Sequence, residues 1–544
     1  MSKSSKISDR IISLIIIVIV TGVVITGLYF HEPFGDEAQA YLLARDASWH
    51  DILLKWTHYE GHPPMWHILI KTACIFGAKF ELTVKALNFI FAEAVLLMIE
   101  LRSPFSRFTK AILPFSYFLL YQYSVISRPY MMLAFAFILT ASIYKDRTQK
   151  PIRYFLSLLF MCTVHSYGIA FAGGIVIADI VGEAIREKSI RKPCMSILSN
   201  KKALICYLLL FLAAIALIID IMPYSDTYAV RGADERVKHG FIVSYLFSFI
   251  LIPSETLFTS FSSVLTSIQE ETNPVNEVII AGVLSLLIWG ALFMICKKRR
   301  MTAEMLIPYM FVSVLLSVYA FSYHFGVFMM YLIFILWTAS DKEKITASEF
   351  TDKFKKAGLS EKLSRSMVYL AGVFFFCVNM YWNIMSYYNE IALTYSPGRS
   401  MAEWIKENDL ENSRILTIWS GDDTNIYSDA SLVANAYFDK SVFYNMHDGL
   451  SYVTHIVPDK EETEQYYHDM YEKGRPDFIV TGGIAGTDFV CKKLGFEDVY
   501  NAKAFFKESE RIFKDKSENT DIYVMCSGEK YKELYGREYE VSKY

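Results

Sequence analysis

The sequence predicts a polytopic α-helical membrane protein with a C-terminal extracytoplasmic α/β domain, and three observations carry that prediction. Of its 544 residues, 53% are hydrophobic, with 40 Phe and 36 Tyr. These apolar residues are gathered into blocks of span length, as in membrane proteins rather than soluble enzymes. Past Ile384 the composition turns abruptly to that of a soluble domain. The net charge of -3 averages a basic membrane side with an acidic remainder, so nothing points to nucleic acid.

Eleven apolar blocks are read as spanning helices: Ile11 to Phe30, Leu82 to Leu101, Ala111 to Ile126, Met131 to Tyr144, Tyr154 to Val164, Gly168 to Ile185, Ala203 to Met222, Val278 to Cys296, Met305 to Ala320, Val327 to Trp337 and Met367 to Ile384. Ile11 to Phe30 is long and lacks a small-x-small cleavage site, so it is kept as a span and not a signal peptide. Pro64 to Phe76 falls short of the roughly 17 residues needed to cross, which marks an interfacial segment. Basic residues support that reading. With Pro64 to Phe76 outside, the clusters Arg102/Arg107/Lys110, Lys145/Arg147/Lys150/Arg153, Arg186 to Lys202, Lys297 to Arg300 and Lys342 to Arg365 join Lys3, Lys6 and Arg10 on the cytoplasmic side. The expectation is a multi-pass plasma-membrane protein with a cytoplasmic N-terminus, a transmembrane domain over 1–388 and an outside domain over 389–544.

Two external loops stand out, 31–81 and 223–277. The second carries Arg231, Arg236, Lys238 and His239 before an apolar Phe241 to Phe261 stretch. It reads as too irregular for a further pair of spans, and as either a loop over a lipid donor or a surface loop with a re-entrant helix. In the C-terminal domain, Ser400-Met401-Ala402-Glu403 has the pattern of a capping box opening a helix to about Asn408, and Ile415 to Trp419, Phe478 to Val480 and Ile522 to Met525 read as strands. Asp422-Asp423 and Gly482-Gly483 follow two of these strands and read as turns. There is no P-loop, GxGxxG or metal-type cysteine spacing, which excludes a nucleotide-driven pump or a cofactor dehydrogenase. Six of the eight cysteines lie in or beside the membrane region, while Cys491 and Cys526 of the outer domain are compatible with a disulfide.

The chemistry-bearing residues crowd onto one side. Asp36 and Glu37 follow the first span directly, and acids at a membrane rim usually serve a substrate or ion. Downstream stand Glu60-Gly61-His62-Pro63-Pro64-Met65-Trp66, then Ser127-Arg128-Pro129-Tyr130, then His165-Ser166-Tyr167. Arg128 reads either as a bidentate phosphate ligand or as an interfacial anchor beside Tyr130. Glu60 and His62 are candidates for binding a divalent metal or a phosphate, with Asp36 a third possible metal ligand. His165 and His324 fall at external hairpin tips, where His324 reads as a hydrogen-bonded filler.

The run Glu32-Pro33-Phe34-Gly35-Asp36-Glu37-Ala38, the segment Glu60 to Leu69, the short Gly77 to Glu81 loop and Ser127-Arg128-Pro129-Tyr130-Met131 resemble the GT-C superfamily of integral-membrane glycosyltransferases. The nearest branch is that of protein O-mannosyltransferases, lipid A aminoarabinose transferases and rhizobial lipopolysaccharide core transferases. The resemblance covers the span order to about Trp337, with its motifs in the first 170 residues. It implies a polyprenyl-phosphate sugar donor, a glycan, lipid or protein acceptor, and catalysis by the loop acid at Asp36. No cofactor beyond a possible divalent metal is implied. Such transfer needs a base near the acceptor hydroxyl and cations for the departing phosphate, roles that suit Asp36 and Arg128. Glu37 is left with three roles: orienting Asp36, binding acceptor or capping a helix N-terminus. Relatives often carry a second acid in the next external loop, and here that loop reads Ser-Arg-Pro-Tyr, so a two-carboxylate mechanism is not implied. The rival classes are a flippase or transporter, which usually has charges inside its helices and related halves, and an O-antigen ligase-like enzyme, for which the acid pair after span one has no explanation.

Overall fold

The computed structural model describes residues 3–231, 240–258, 275–318, 321–351, 360–418, 429–446, 449–453, 456, 461, 465, 468–470, 472–481, 501–504 and 523–538. Asp422-Asp423, Gly482-Gly483, Cys491 and Arg236, Lys238 and His239 lie outside these residues, as does the question of a Cys491–Cys526 pair. Eight helices among the described residues are long and apolar enough to cross a membrane: Asp9–Phe30, Phe80–Arg102, Ser166–Glu187, Lys201–Asp220, Phe241–Phe258, Val278–Lys298, Ser322–Lys342 and Glu361–Ala392. Tyr130–Tyr144, Pro151–Val164 and Thr302–Val318 are apolar but shorter. The protein is a multi-pass helical membrane protein with a small C-terminal sheet.

Two expectations for the membrane segments are corrected. Ala111 to Ile126 is no continuous helix. It is broken into Arg107–Ile112, a 3-10 turn at Leu113–Phe115 and a π-helical turn at Phe118–Gln122. A broken segment in a bundle survives only where its freed backbone groups find partners, and buried polar side chains supply them. Asn379 Oδ1 accepts from the Tyr117 amide (2.8 Å) and Asn383 Nδ2 donates to the Phe115 carbonyl (2.8 Å). Asn88 Nδ2 donates to the carbonyls of Tyr123 and Ser124 (both 2.9 Å), and the Tyr387 hydroxyl donates to Leu120 O (3.0 Å). The second correction concerns Phe241–Phe258, which is helical and of span length. It sits beside Thr302–Val318, where the Tyr309 hydroxyl donates to Ser248 O (3.2 Å), and rises to the His324 turn, where the Thr256 hydroxyl donates to Phe325 O (2.7 Å).

Close packing of Ser166–Glu187 on Thr302–Val318 is possible because Gly174 has no side chain. A Cβ there would lie 2.6 Å from Pro308 Cα. Between Phe30 and Phe80 the chain forms only short helices, α1 (Gly35–Asp46), α2 (Trp49–Leu54), α3 (Thr57–Glu60) and α4 (Met65–Ile75), none of them long enough to cross a bilayer.

The last membrane helix runs to Ala392, past the expected boundary at 388. Beyond it a helix spans Gly398–Glu407, so Ser400 lies inside the first turn and is not its N-cap; Pro397 takes that place. The sheet has the order β1-β2-β4-β3, from β1 (Ile415–Ile418), β2 (Phe478–Thr481), β3 (Asn501–Ala504) and β4 (Tyr523–Cys526), with β1 parallel to β2 and the other pairs antiparallel. This domain docks on the first loop. Arg399 bridges to Glu81 (2.7 Å), Lys79 to Asp439 (2.7 Å), and the Tyr452 hydroxyl donates to Asp46 (2.8 Å). At the opposite end of the bundle the helix tips are basic: Arg186 pairs with Glu304 (2.7 Å) and Arg299 with Glu349 (2.8 Å).

Candidate active site

Four turns meet at the end of the bundle under the C-terminal domain. In the first, α1 opens with Asp36 and Glu37 in its first turn, where the helix dipole favours carboxylates. Glu37 is fully buried, and its oxygens are used by the protein itself. Oε2 accepts from the Phe34 amide (3.1 Å) and contacts His31 Nε2 (2.9 Å), while Oε1 accepts from the Ser127 amide (2.7 Å). Of its three expected roles, the geometry supports capping the helix and fixing its neighbours. The Asp36 carboxylate stays one-fifth exposed.

The second turn, Ser127-Arg128-Pro129, places Arg128 against Asp36. Its Nη1 donates to the Asp36 carbonyl at 2.8 Å and its Nη2 lies 3.5 Å from Asp36 Oδ2. The fork therefore spans backbone and side chain of one residue.

In the loop that carries Asp36, α3 ends at Glu60 because Gly61 adopts φ 64°, a left-handed cap that few other residues tolerate. The chain then turns through His62-Pro63-Pro64 into α4. Glu60 accepts from Gln39 Nε2, and its Oε2 lies 3.2 Å from His62 Nε2 and 3.9 Å from His67 Nε2. Burial pushes the Glu60 carboxyl up, but the His62 contact and the neighbouring positive charges, Arg128 among them, hold it well below the usual carboxylate range. Burial lowers the His67 imidazole to about 4, with His62 and Arg128 adding to the effect against the pull of Glu60. At neutral pH His67 is therefore uncharged.

The third and fourth turns bring aromatic and imidazole rings. His165 stacks on Tyr167 with centroids 4.9 Å apart, and lies 5.1 Å from Tyr130 and 5.6 Å from His62. His324 lies 5.8 Å from Tyr130 and 5.5 Å from Tyr167. Its Nδ1 accepts from the Phe321 amide at 2.9 Å, the hydrogen-bonded state expected of it, while its ring borders the cluster. Burial, reinforced by His62, His324 and Arg128, holds His165 well below the ordinary imidazole value, so the His165 ring is uncharged at neutral pH.

The structure brings together Asp36, Glu37, Glu60, His62, Arg128, Tyr130, His165 and Tyr167. Sequence reading missed Gln39 and His67. Gln39 lies one helical turn beyond Asp36, a spacing that could have flagged it; His67 is an ordinary α4 residue until the fold turns it to Glu60. Among the described residues no group of three or more His, Cys, Asp or Glu side chains is arranged to hold a metal ion. Asp36, Glu60 and His62, the candidate ligands, have the Arg128 guanidinium as a neighbour, which disfavours a further cation.

No family model and no curated protein sequence matches the chain. A solved structure does: the crystal structure of ArnT from Cupriavidus metallidurans in the apo state is similar at a TM-score of 0.50, with 12% sequence identity over 96% of this chain and 98% of that one. The chain shares the overall fold of that protein. The likeness runs through both the bundle and the C-terminal domain, and so extends past Trp337, where the sequence resemblance stops.

Proposed function

We propose that the protein is a glycosyltransferase that moves a sugar from a polyprenyl-phosphate donor to a hydroxyl of a glycan, lipid or protein acceptor. The observation that carries this reading is the Asp36–Arg128 contact: one partly exposed carboxylate and one guanidinium, side by side at a membrane rim, on a fold similar to that of ArnT, an aminoarabinose transferase. Asp36 takes the proton of the acceptor hydroxyl, whose oxygen bonds to the anomeric carbon of the donor sugar. The bond from that carbon to the phosphate oxygen breaks, and the electron pair leaves with the polyprenyl phosphate. Arg128 meets the growing phosphate charge with charge-assisted hydrogen bonds. The same guanidinium rests on Asp36 in the structure, so a phosphate that draws Arg128 away also frees the carboxylate as base. The uncharged rings of Tyr130, His165 and Tyr167 offer stacking faces and hydrogen bonds to a sugar without a fixed charge.

The basic tips at the far end of the bundle support an orientation with that end cytoplasmic and with the site and C-terminal domain outside. A flippase or an O-antigen ligase-like enzyme finds no specific support in this geometry. Asp36→Asn is the test. Yield and melting behaviour should match the wild type while donor-dependent transfer falls by a factor of about 10² to 10⁴, the usual contribution of a positioned base. Near-normal turnover in Asp36→Asn would remove Asp36 as the base, and lipid movement without sugar transfer would favour the flippase.

A further inference from the structure

A histidine with both ring nitrogens facing carboxylates lies beneath the Asp36–Arg128 pair. His31 has no exposed surface; its Nε2 is 2.9 Å from Glu37 Oε2, and its Nδ1 is 3.1 Å from Glu390 Oε1 and 3.2 Å from Oε2. Glu390 is itself 4% exposed and accepts from the Tyr121 hydroxyl at 2.6 Å. With a carboxylate on each side, both nitrogens donate, which requires the doubly protonated imidazolium. The charged sequence Glu37–His31–Glu390 thus joins residues 353 apart in sequence at its two ends, by the difference of their numbers.

The near end of this chain of contacts touches both halves of the site. Glu37 follows Asp36 in sequence and caps its helix at the Phe34 amide, while its other oxygen holds the amide of Ser127, the residue before Arg128. One carboxylate therefore sets how far Asp36 stands from Arg128. The far end lies on the last membrane helix, a few residues before the C-terminal domain, where Glu32 accepts from the amides of Tyr395 (2.8 Å) and Ser396 (3.2 Å). Two further charged groups bind the His31 backbone: Lys85 Nζ (2.6 Å) and Arg399 Nη2 (3.4 Å) both donate to its carbonyl. Tyr395 packs on the imidazole with centroids 5.0 Å apart.

We infer that Glu390 is a positioning residue for the transfer, acting through His31 and Glu37 to fix the spacing of Asp36 and Arg128. A buried ion triad is a poor way to add stability, since well-packed apolar residues often do as well; its better-attested use is to impose one register on the groups it joins. Here those groups are the last membrane helix, the start of α1 and the turn that bears Arg128. The functional consequence rests on the glycosyltransferase reading above, whereas the mechanical one does not.

Two arms separate them. In the first, Asp36→Cys is treated with an impermeant maleimide with and without Glu390→Gln, a change that removes charge but keeps shape and an acceptor for Tyr121. Loosening of the α1 start should make alkylation several times faster with Glu390→Gln, while Ser48→Cys, at an exposed site two residues past the end of α1, should react at the same rate in both backgrounds. Equal rates at position 36 would overturn the inference. In the second arm, Glu390→Gln in the otherwise native enzyme should lower kcat by about 10-fold to 100-fold, the scale of a small misplacement of reacting groups, with little change in KM. Glu37→Gln should do the same, and the double variant should be no worse than the more impaired single one. Multiplying losses would show two independent effects and overturn the coupling. If Glu390→Gln accumulates poorly, Tyr121→Phe, which removes one donor to Glu390 and leaves the charges, should move both readouts in the same direction by less. Faster alkylation of Asp36→Cys on adding Glu390→Gln, together with a wild type that shows no transfer, would uphold the positioning role and overturn the proposed activity.

Discussion

Arg128→Lys keeps the charge and discards the fork. In the structure one guanidinium nitrogen donates to the Asp36 carbonyl at 2.8 Å and a second lies 3.5 Å from the Asp36 carboxylate, a span that one ammonium on a flexible stem does not reproduce. On a donor phosphate the same fork would grip two oxygens. Losing one charge-assisted hydrogen bond there removes about 1.5 to 3 kcal/mol. At about 1.36 kcal/mol per factor of ten, that is a fall in kcat/KM of about 10-fold to 150-fold. The assay is steady-state kinetics with a water-soluble short-chain polyprenyl-phosphate sugar, run beside measurements of yield and melting in detergent. If Arg128 served only to anchor the turn at the interface, lysine would replace it well, because it snorkels from the same depth. An unchanged kcat/KM with wild-type yield and melting would therefore refute the phosphate role.

Three further outcomes are expected. Burial works to lower the His31 imidazole, but the charges of Glu390 and Glu37 outweigh it and raise the group from the ordinary 6.5 to about 10. A raised folded value means that these ion pairs stabilise fully below pH 6.5 and are lost as pH climbs through about 10; melting temperature should fall across that window in the wild type and fall less in His31→Gln, and parallel curves would contradict it. Asn379→Leu strips the Tyr117 amide of its acceptor and should destabilise by about 1 to 3 kcal/mol in chemical unfolding, whereas Tyr381→Leu on the exposed face of the same helix should change little; equal effects would deny that Asn379 supports the broken segment. For orientation, Ser48→Cys and Ser400→Cys should react with an impermeant reagent from outside the cell and Ser348→Cys should not, and labelling of Ser348→Cys alone would invert the topology.

Much of the architecture is legible in the chain because the bilayer imposes a length and a composition on each crossing segment. Ile11 to Phe30, Gly168 to Ile185 and Ala203 to Met222 each lie within an observed helix, apart from the final two residues of the third, and Pro64 to Phe76 forms only the short helix α4. The site residues were legible for a related reason. Asp36, Glu60, Arg128 and His165 are polar groups at the ends of apolar segments, where burial is costly enough to single them out. What the sequence did not disclose depends on partners far along the chain. Ala111 to Ile126 has the composition of a helix, and it breaks because Asn379 and Asn383, more than 250 residues later, satisfy the backbone it exposes. Phe241–Phe258 reads as part of an irregular loop until Thr302–Val318 offers it a surface to pack on. Glu37 was open to three roles in the sequence, and only the folded chain brings Ser127 and His31 to its two oxygens. Local chemistry and bilayer thickness are written residue by residue, whereas a buried charge or an unpaired amide is tolerated only where tertiary structure delivers its partner.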